Sequence, residues 1–393
     1  MTVPANPSGP EPGRQIRIWL CSLAATLVAI GVVMIFSASA IFAWDRYQDS
    51  MFFLKRHLIF LGVGIAGFIG AMLVDIKQLR RLSPQFLIGI GAALLFVGLL
   101  GPKIGGARRW ISIGPLNIQP SEFAKIAIVL YLSDRIAKNV NRLKNFKTDL
   151  LPLITVTGLT CLLILLGKDL GTTVVLMGVF MILLFAGGIP VRYFAWLVAG
   201  CVPVVVGAIL IEPYRVKRLT GFLDPFRDIQ GKSFQLYQSL LAIGSGGFFG
   251  KGLGQSQQKL FYLPAAHTDF IFAIVGEELG FLGAGFVILL FVMFGVLGMM
   301  IVFRAKNAFT QLFALGLVSL ILIEAIINIG VSTGAFPTKG LALPFISYGG
   351  SSLITLLAAV GILLNISAHS TSEMTMERKQ RKQRSFLKMK IFS

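Results

Sequence analysis

A chain of 393 residues in which 55% are hydrophobic and only 13% charged, with a mean hydropathy of +0.80, excludes a soluble globular protein. So few charges cannot keep that much apolar surface in water. The formal charge is +19, yet Lys and Arg lie between long apolar runs, which argues against nucleic acid as a partner and for orientation in a membrane with anionic lipids. The short alternating segments of a membrane β-barrel are missing, so the predicted class is an all-α polytopic membrane protein.

Residues 1–13 are rich in Pro and Gly and lack a basic leader pattern, so 1–16 read as a disordered cytoplasmic tail rather than a signal peptide. Apolar runs at about 18–42, 57–74, 85–101, 122–136, 150–167, 171–188, 192–211, 269–302, 310–332 and 351–367 predict about ten transmembrane helices. Cys21, Cys161 and Cys201 all fall inside such runs and read as small buried hydrophobes. With the long 212–268 loop set aside, Lys and Arg are in excess on the segments that place both termini on the cytoplasmic side. Residues 17–367 then form one transmembrane domain, and 368–393 a basic tail on the inner leaflet.

The outer segments carry most of the polar pattern. The first ends Phe52-Phe-Leu-Lys55-Arg56-His57, and the second runs through Arg108-Arg109-Trp110 to Gln119-Pro-Ser-Glu122-Phe-Ala-Lys125. Glu122 and Lys125 are three apart on one helix, so they can pair, either as plain structure or to position a neighbour. Asp169 in Lys168-Asp-Leu-Gly171-Thr172 can cap the following helix. The large loop 212–268, between helices 7 and 8, holds amphipathic stretches and a glycine run, which predicts an interfacial or re-entrant helix rather than a folded domain. The last outer segment, Gly334 through Lys339 to Ser347-Tyr348-Gly349-Gly350-Ser351-Ser352, puts Pro and Gly at membrane depth, where irregular backbone needs a protein or water-filled cavity around it.

One stretch unites these parts. Lys259, His267, Thr268 and Asp269 gather before an apolar run that contains Glu277 and Glu278. If Asp269 opens a helix, Glu277 lies about two turns deeper on roughly the same side. The run 269–302 is long for one span, so it is either a tilted helix or one whose first turns line a cavity. A carboxylate at such a boundary with Arg56, Arg109, Lys259 and Lys339 around it suits an anionic lipid headgroup such as a pyrophosphate. It can act as general base on a sugar hydroxyl, or carry a proton for a transporter, and the residues alone leave both open. No P-loop or zinc motif supports ATP-driven transport or metal hydrolysis. A divalent cation is allowed but not required.

The motifs Pro264-Ala-Ala-His267-Thr268-Asp269-Phe-Ile-Phe-Ala, Gly276-Glu-Glu-Leu-Gly280 and Asn328-Ile-Gly330-Val through Ser347-Tyr-Gly-Gly-Ser-Ser352 resemble the SEDS family of shape, elongation, division and sporulation proteins over about 17–367. Gln119-Pro-Ser-Glu122 and Asp169-Leu-Gly171-Thr172 agree, and Ala266 with Phe336-Pro-Thr338-Lys339-Gly340 favours the FtsW-type division branch over the RodA-type elongation branch. The resemblance implies a peptidoglycan glycosyltransferase in the bacterial cytoplasmic membrane, at the division septum, polymerising lipid II with inversion. It places Asp269 as the catalytic carboxylate and Glu122–Lys125 as the family's cavity pair. Arg56, Arg109, Lys259 and Lys339 are inferred as the pyrophosphate contacts, and Asp169, His267, Thr268, Ser347, Tyr348, Gly349, Gly350 and Ser351 complete the expected substrate-binding set. It implies a class B penicillin-binding protein and divisome proteins as partners. A lipid II flippase or a pure scaffold is the alternative reading. Ala265, Lys168 and Glu324 depart from the family pattern, where Glu, Pro and Gln are usual.

Overall fold

The structure is a computed structural model and describes residues 12–103, 106–113, 116–138, 145–260 and 262–369. The basic tail from 370 onward and residues 1–11 lie outside the described residues. The first helix begins at Pro12, inside the stretch expected to be a tail.

The helices are α1 (Pro12–Tyr47), α2 (Phe52–Leu73), α3 (Ile76–Arg81), α4 (Ser83–Leu100), α5 (Pro120–Lys138), α6 (Leu151–Leu166), α7 (Leu170–Ala186), α8 (Val191–Leu210), α9 (Pro213–Leu223), α10 (Phe234–Gly246), α11 (Ile271–Arg304) and α12 (Ala308–Ser332). A final helix, α13, spans Gly350–His369. Their starts follow local chemistry. Asp169 caps α7 by accepting from Thr172 N at 3.1 Å, Asn307 caps α12 by accepting from Thr310 N at 2.9 Å, and α4, α6 and α9 carry Pro in the first turn.

Among the described residues, seven helices are long and apolar enough to cross a membrane on length and composition alone: α1, α2, α4, α6 with its preceding π turn, α11, α12 and α13. The apolar α7 is shorter. The span expected at 122–136 exists as α5 but falls outside that set, and the span expected at 192–211 exists as the 20-residue apolar helix α8. For α5 the reason is charge. It carries Glu122, Lys125 and Asp134, and all three are buried because α5 packs among α4, α7 and α12. Lipid-exposed charge is costly, so a helix with this sequence belongs inside the bundle. The outward faces of α2 and α4 are lined with exposed Leu, Ile and Phe. Lipid is as apolar as these side chains, so close packing and polar bonds hold the bundle together more than the hydrophobic effect.

Three details go beyond the sequence-based expectation. A small antiparallel hairpin, β1 (Ile111–Ile113) with β2 (Leu116–Ile118), sits in the second outer segment, pairing Ile111 with Ile118. The large outer loop holds two helices, α9 and α10. The long run after Asp269 is one element broken at Gly280, whose φ of 68° only glycine adopts readily. Cys161 is buried as expected, whereas Cys21 is exposed on the outside of α1.

Candidate functional site

The site is built on a turn. Ala265 adopts φ 58°, an uncommon conformation for a residue with a Cβ. It turns its carbonyl toward Thr268 N at 3.0 Å and Asp269 N at 3.1 Å. Phe270 is buried beside this turn, and α11 starts one residue later. The last outer segment is stitched across it. Asn328 Nδ2 donates to Asp269 O at 2.8 Å and to Leu341 O at 2.6 Å. Ser347 Oγ donates to Thr268 O at 2.5 Å, and Tyr348 N to His267 O at 3.0 Å. Gly340 passes so close that a Cβ there would lie 3.0 Å from Asp269 Oδ2, so a larger residue would press on the carboxylate.

Two cavities of about 480 and 430 Å³ meet at this turn. Both are walled by Arg109, Trp110, Asp169, Asp269 and Gly340. The first adds Lys168, Arg215, Arg218 and Lys339, so its wall is strongly cationic. The second adds Arg56, Asn117, Gln119, Glu122, Thr268 and the segment Tyr348 to Ser352, a polar and aromatic wall with one further cation and one further carboxylate. Asp269 lies where the two join.

Electrostatics single out the same carboxylate. Burial pushes the Asp269 carboxyl up to about 6, with Arg218 and Arg109 pulling the other way. Lys339 is pushed down to about 8 by burial, aided by the nearby Arg215 and opposed by Asp169. Burial holds His267 down at about 4, so its ring is neutral at pH 7. It packs against Phe53 at 4.6 Å and near Tyr348 at 5.9 Å.

Most of the expected substrate contacts converge here. Arg56, Arg109, Glu122, Asp169, Thr268, Lys339, Tyr348, Gly349, Gly350 and Ser351 all line one or both cavities. Asp169 does so while capping α7 and taking Gln119 Nε2 at 3.1 Å. His267, Ser347 and Lys125 stand behind the wall rather than in it. Lys125 bridges Glu122 at 2.7 Å and also pairs with Glu324, a third member not anticipated for this pair. Trp110, Arg215 and Arg218 are among the wall residues that the motifs did not bring into the group. The three-residue spacing of Arg215 and Arg218 on an amphipathic helix was a readable signal.

Besides His267, Ser347 and Lys125, two further residues stand apart from the cavities. Lys259 lines neither cavity. Its Nζ lies 2.8 Å from Glu278 Oε1 and 3.1 Å from Ser37 Oγ, so it tethers the loop to α1 and α11. Glu277 does not share the cavity with Asp269 either. It accepts from Gln257 N at 3.0 Å and Lys251 Nζ at 2.9 Å, because its helix face turns toward the loop after α10.

A multi-pass helical membrane protein with a two-lobed cavity at a loop–helix junction is the class that these features define. Residues 17–372 match the FtsW/RodA/SpoVE family model, described as cell cycle protein. The chain belongs to this family, the SEDS proteins. It is 41% identical to stage V sporulation protein E of Bacillus subtilis (strain 168), over 89% of this chain and 96% of that one. It is 43% identical to the probable peptidoglycan glycosyltransferase FtsW of Trichlorobacter lovleyi, over 89% and 92%. Among solved structures, a chain from a peptidoglycan synthase complex that coordinates polymerization and crosslinking superposes with a TM-score of 0.73 at 27% identity, covering 89% of this chain and 97% of that one. The rod shape determining protein RodA of Thermus thermophilus gives 0.66 at 27% identity, covering 89% and 95%.

Proposed function

We propose that this protein is a peptidoglycan glycosyltransferase of the FtsW type, which polymerises lipid II during septal wall synthesis, with Asp269 as general base. The observation that carries the assignment of roles is the position of Asp269 in the wall shared by a strongly cationic lobe and a polar, aromatic lobe in which cations and carboxylates are mixed. The cationic lobe suits the donor's pyrophosphate, because guanidinium and ammonium groups bind phosphate oxygens through charge-assisted hydrogen bonds. The other lobe takes the acceptor sugar. Asp269 removes the proton from the acceptor's GlcNAc 4-hydroxyl as that oxygen bonds to the anomeric carbon of the donor's MurNAc. The bond to undecaprenyl pyrophosphate breaks on the opposite side, and the configuration inverts. A carboxyl raised to about 6 is a stronger base than an ordinary aspartate and is still ionised at neutral pH.

Arg109 helps to fix this geometry from the wall. Its guanidinium donates to Gly167 O and Lys168 O, both at 2.7 Å, and so holds the turn that presents Asp169. If a divalent cation accompanies the pyrophosphate, Asp169 is the cavity carboxylate that would hold it and the cation would neutralise phosphate charge; polymerisation in the presence of a chelator tests this. A class B penicillin-binding protein is the partner that the reading requires, because linear strands must be cross-linked, and divisome proteins would bring the pair to the septum. The structural likeness to a member of a synthase complex supports a partner of this kind.

The test is glycan formation from purified lipid II by the protein with its penicillin-binding partner, beside Asp269→Asn of equal thermal stability. Polymer from the wild type alone supports the reading. Polymer from both removes Asp269 from the chemistry. Polymer from neither, with lipid II crossing liposome membranes, makes the protein a flippase.

A further inference from the structure

The glycine-rich segment after α10 is wedged into the break of α11. A broken helix leaves carbonyls unpaired on one side of the break and N–H groups unpaired on the other. Here the loop pairs both. Lys251 N and Gly252 N donate to Glu277 O and Glu278 O, each at 3.0 Å. Phe281 N and Leu282 N donate to Gly247 O at 2.9 Å and Phe248 O at 3.2 Å. The loop backbone is thereby part of the helix, and what it presents outward is held in place.

What it presents is aromatic. Phe248 and Phe249 are 56% and 79% exposed, and Phe281 on α11 is 67% exposed. The Phe248 ring stacks on Phe281 at 5.7 Å and meets Phe249 at 5.3 Å. Three exposed phenyl rings in one patch mark a surface with an apolar partner. The depth of the patch follows from α11 itself. From Phe281 to Arg304 the helix rises roughly 36 Å at ~1.5 Å per residue, against a hydrocarbon thickness of about 30 Å. Arg304 and Lys306 mark the inner end, so Phe281 stands at the outer border of the bilayer. Below it, α11 continues with exposed Leu282, Phe286, Leu289 and Phe303, so the patch is continuous with an exposed apolar face of the helix.

The geometry points to an outer-leaflet anchor: Phe248 and Phe249, carried on the loop that caps the break in α11, bind among the acyl chains just below the lipid headgroups. The anchor fixes the outer loop's height above the bilayer through an element that is continuous with the turn of Asp269.

The test uses the full chain in nanodiscs of phosphatidylethanolamine and phosphatidylglycerol, with Cys21, Cys161 and Cys201 replaced. A nitroxide at Phe249→Cys is expected to collide more with dissolved oxygen than with a water-soluble nickel chelate. A nitroxide at Lys103→Cys, on an exposed outer segment, is expected to show the reverse. A Phe249 label that behaves like the Lys103 label places the patch in water and overturns the anchor. Spin–spin broadening, or shielding from both reagents, means that a protein surface covers it, and also overturns it. Unmodified protein supplies the second measurement. Lipids with a photoreactive group high on the acyl chain are expected to label 247–253. Labelling of α11 below Phe281 with none on 247–253 refutes the anchor.

Discussion

Asp269 and the pair Glu277–Glu278 stand within ten residues or so of one another, yet the fold surrounds them differently. Glu277 and Glu278 are closed off entirely and each is matched: Lys251, Gln257 N and Gln258 N serve the first, Lys259 and Ser37 the second. Asp269 opens onto a cavity, where burial outweighs the neighbouring arginines and its carboxyl stands at about 6. The lesson is that a carboxylate near the membrane border is no sign of chemistry by itself. A matched one holds structure together. One whose charge the protein leaves under-compensated, facing space for a substrate, is able to take up a proton.

The comparison breaks most sharply at Asp269. Asp269→Asn is expected to abolish polymerisation while leaving the melting temperature unchanged or higher. The folded carboxyl binds its proton more tightly than the unfolded one, so the ionised form costs stability above pH 6 and the amide does not. Glu278→Gln should do the opposite. It leaves the Lys259 ammonium buried without its partner, which costs about 3 kcal/mol or more, and thermal unfolding in detergent reads the loss. A Glu278→Gln protein as stable as wild type would contradict the structural role given to this pair.

Lys339→Met removes one charge from the cationic lobe. A charge-assisted bond of about 2 kcal/mol corresponds to roughly 30-fold in kcat/KM for lipid II. The pH profile sharpens the same point. Activity should fall below about 6 as Asp269 takes its proton, and above about 8 as Lys339 loses one. Lys339→Met should flatten the alkaline arm and spare the acid arm. The smallest effect is expected at Lys55→Ala. Its pair with Asp49, at 2.8 Å, is well exposed, and water and salt screen such pairs so that they contribute little; thermal unfolding should be close to wild type.

Much of the site was legible because local chemistry wrote it. Asp169 before Leu-Gly-Thr reads as a helix cap and is one. Glu122 and Lys125, three residues apart, pair as their spacing requires. The hairpin at 111–118 was also readable, as alternation around Gly114-Pro115. Two residues that depart from the family pattern gain meaning only in the fold. Lys168 has φ 62°, which proline cannot adopt, and its ammonium pairs with Glu212 at 2.9 Å. Glu324 shares Lys125 with Glu122 across two helices that are far apart in sequence.

The sequence by itself determined the membrane class, the positions of the helices and the carboxylate at the mouth, because hydropathy, capping and turn chemistry act within a few residues. Which charges face which was decided only by tertiary structure. Lys259 and Lys339 are both cations in outer segments with the same apparent calling. The break at Gly280, and the loop wedged into it, turns the first onto Glu278, while Asn328 ties the chain following Lys339 against Asp269. Ion pairs are short-ranged contacts between distant parts of the chain, so the packing of α1, α11 and α12 selects them, and no local pattern does.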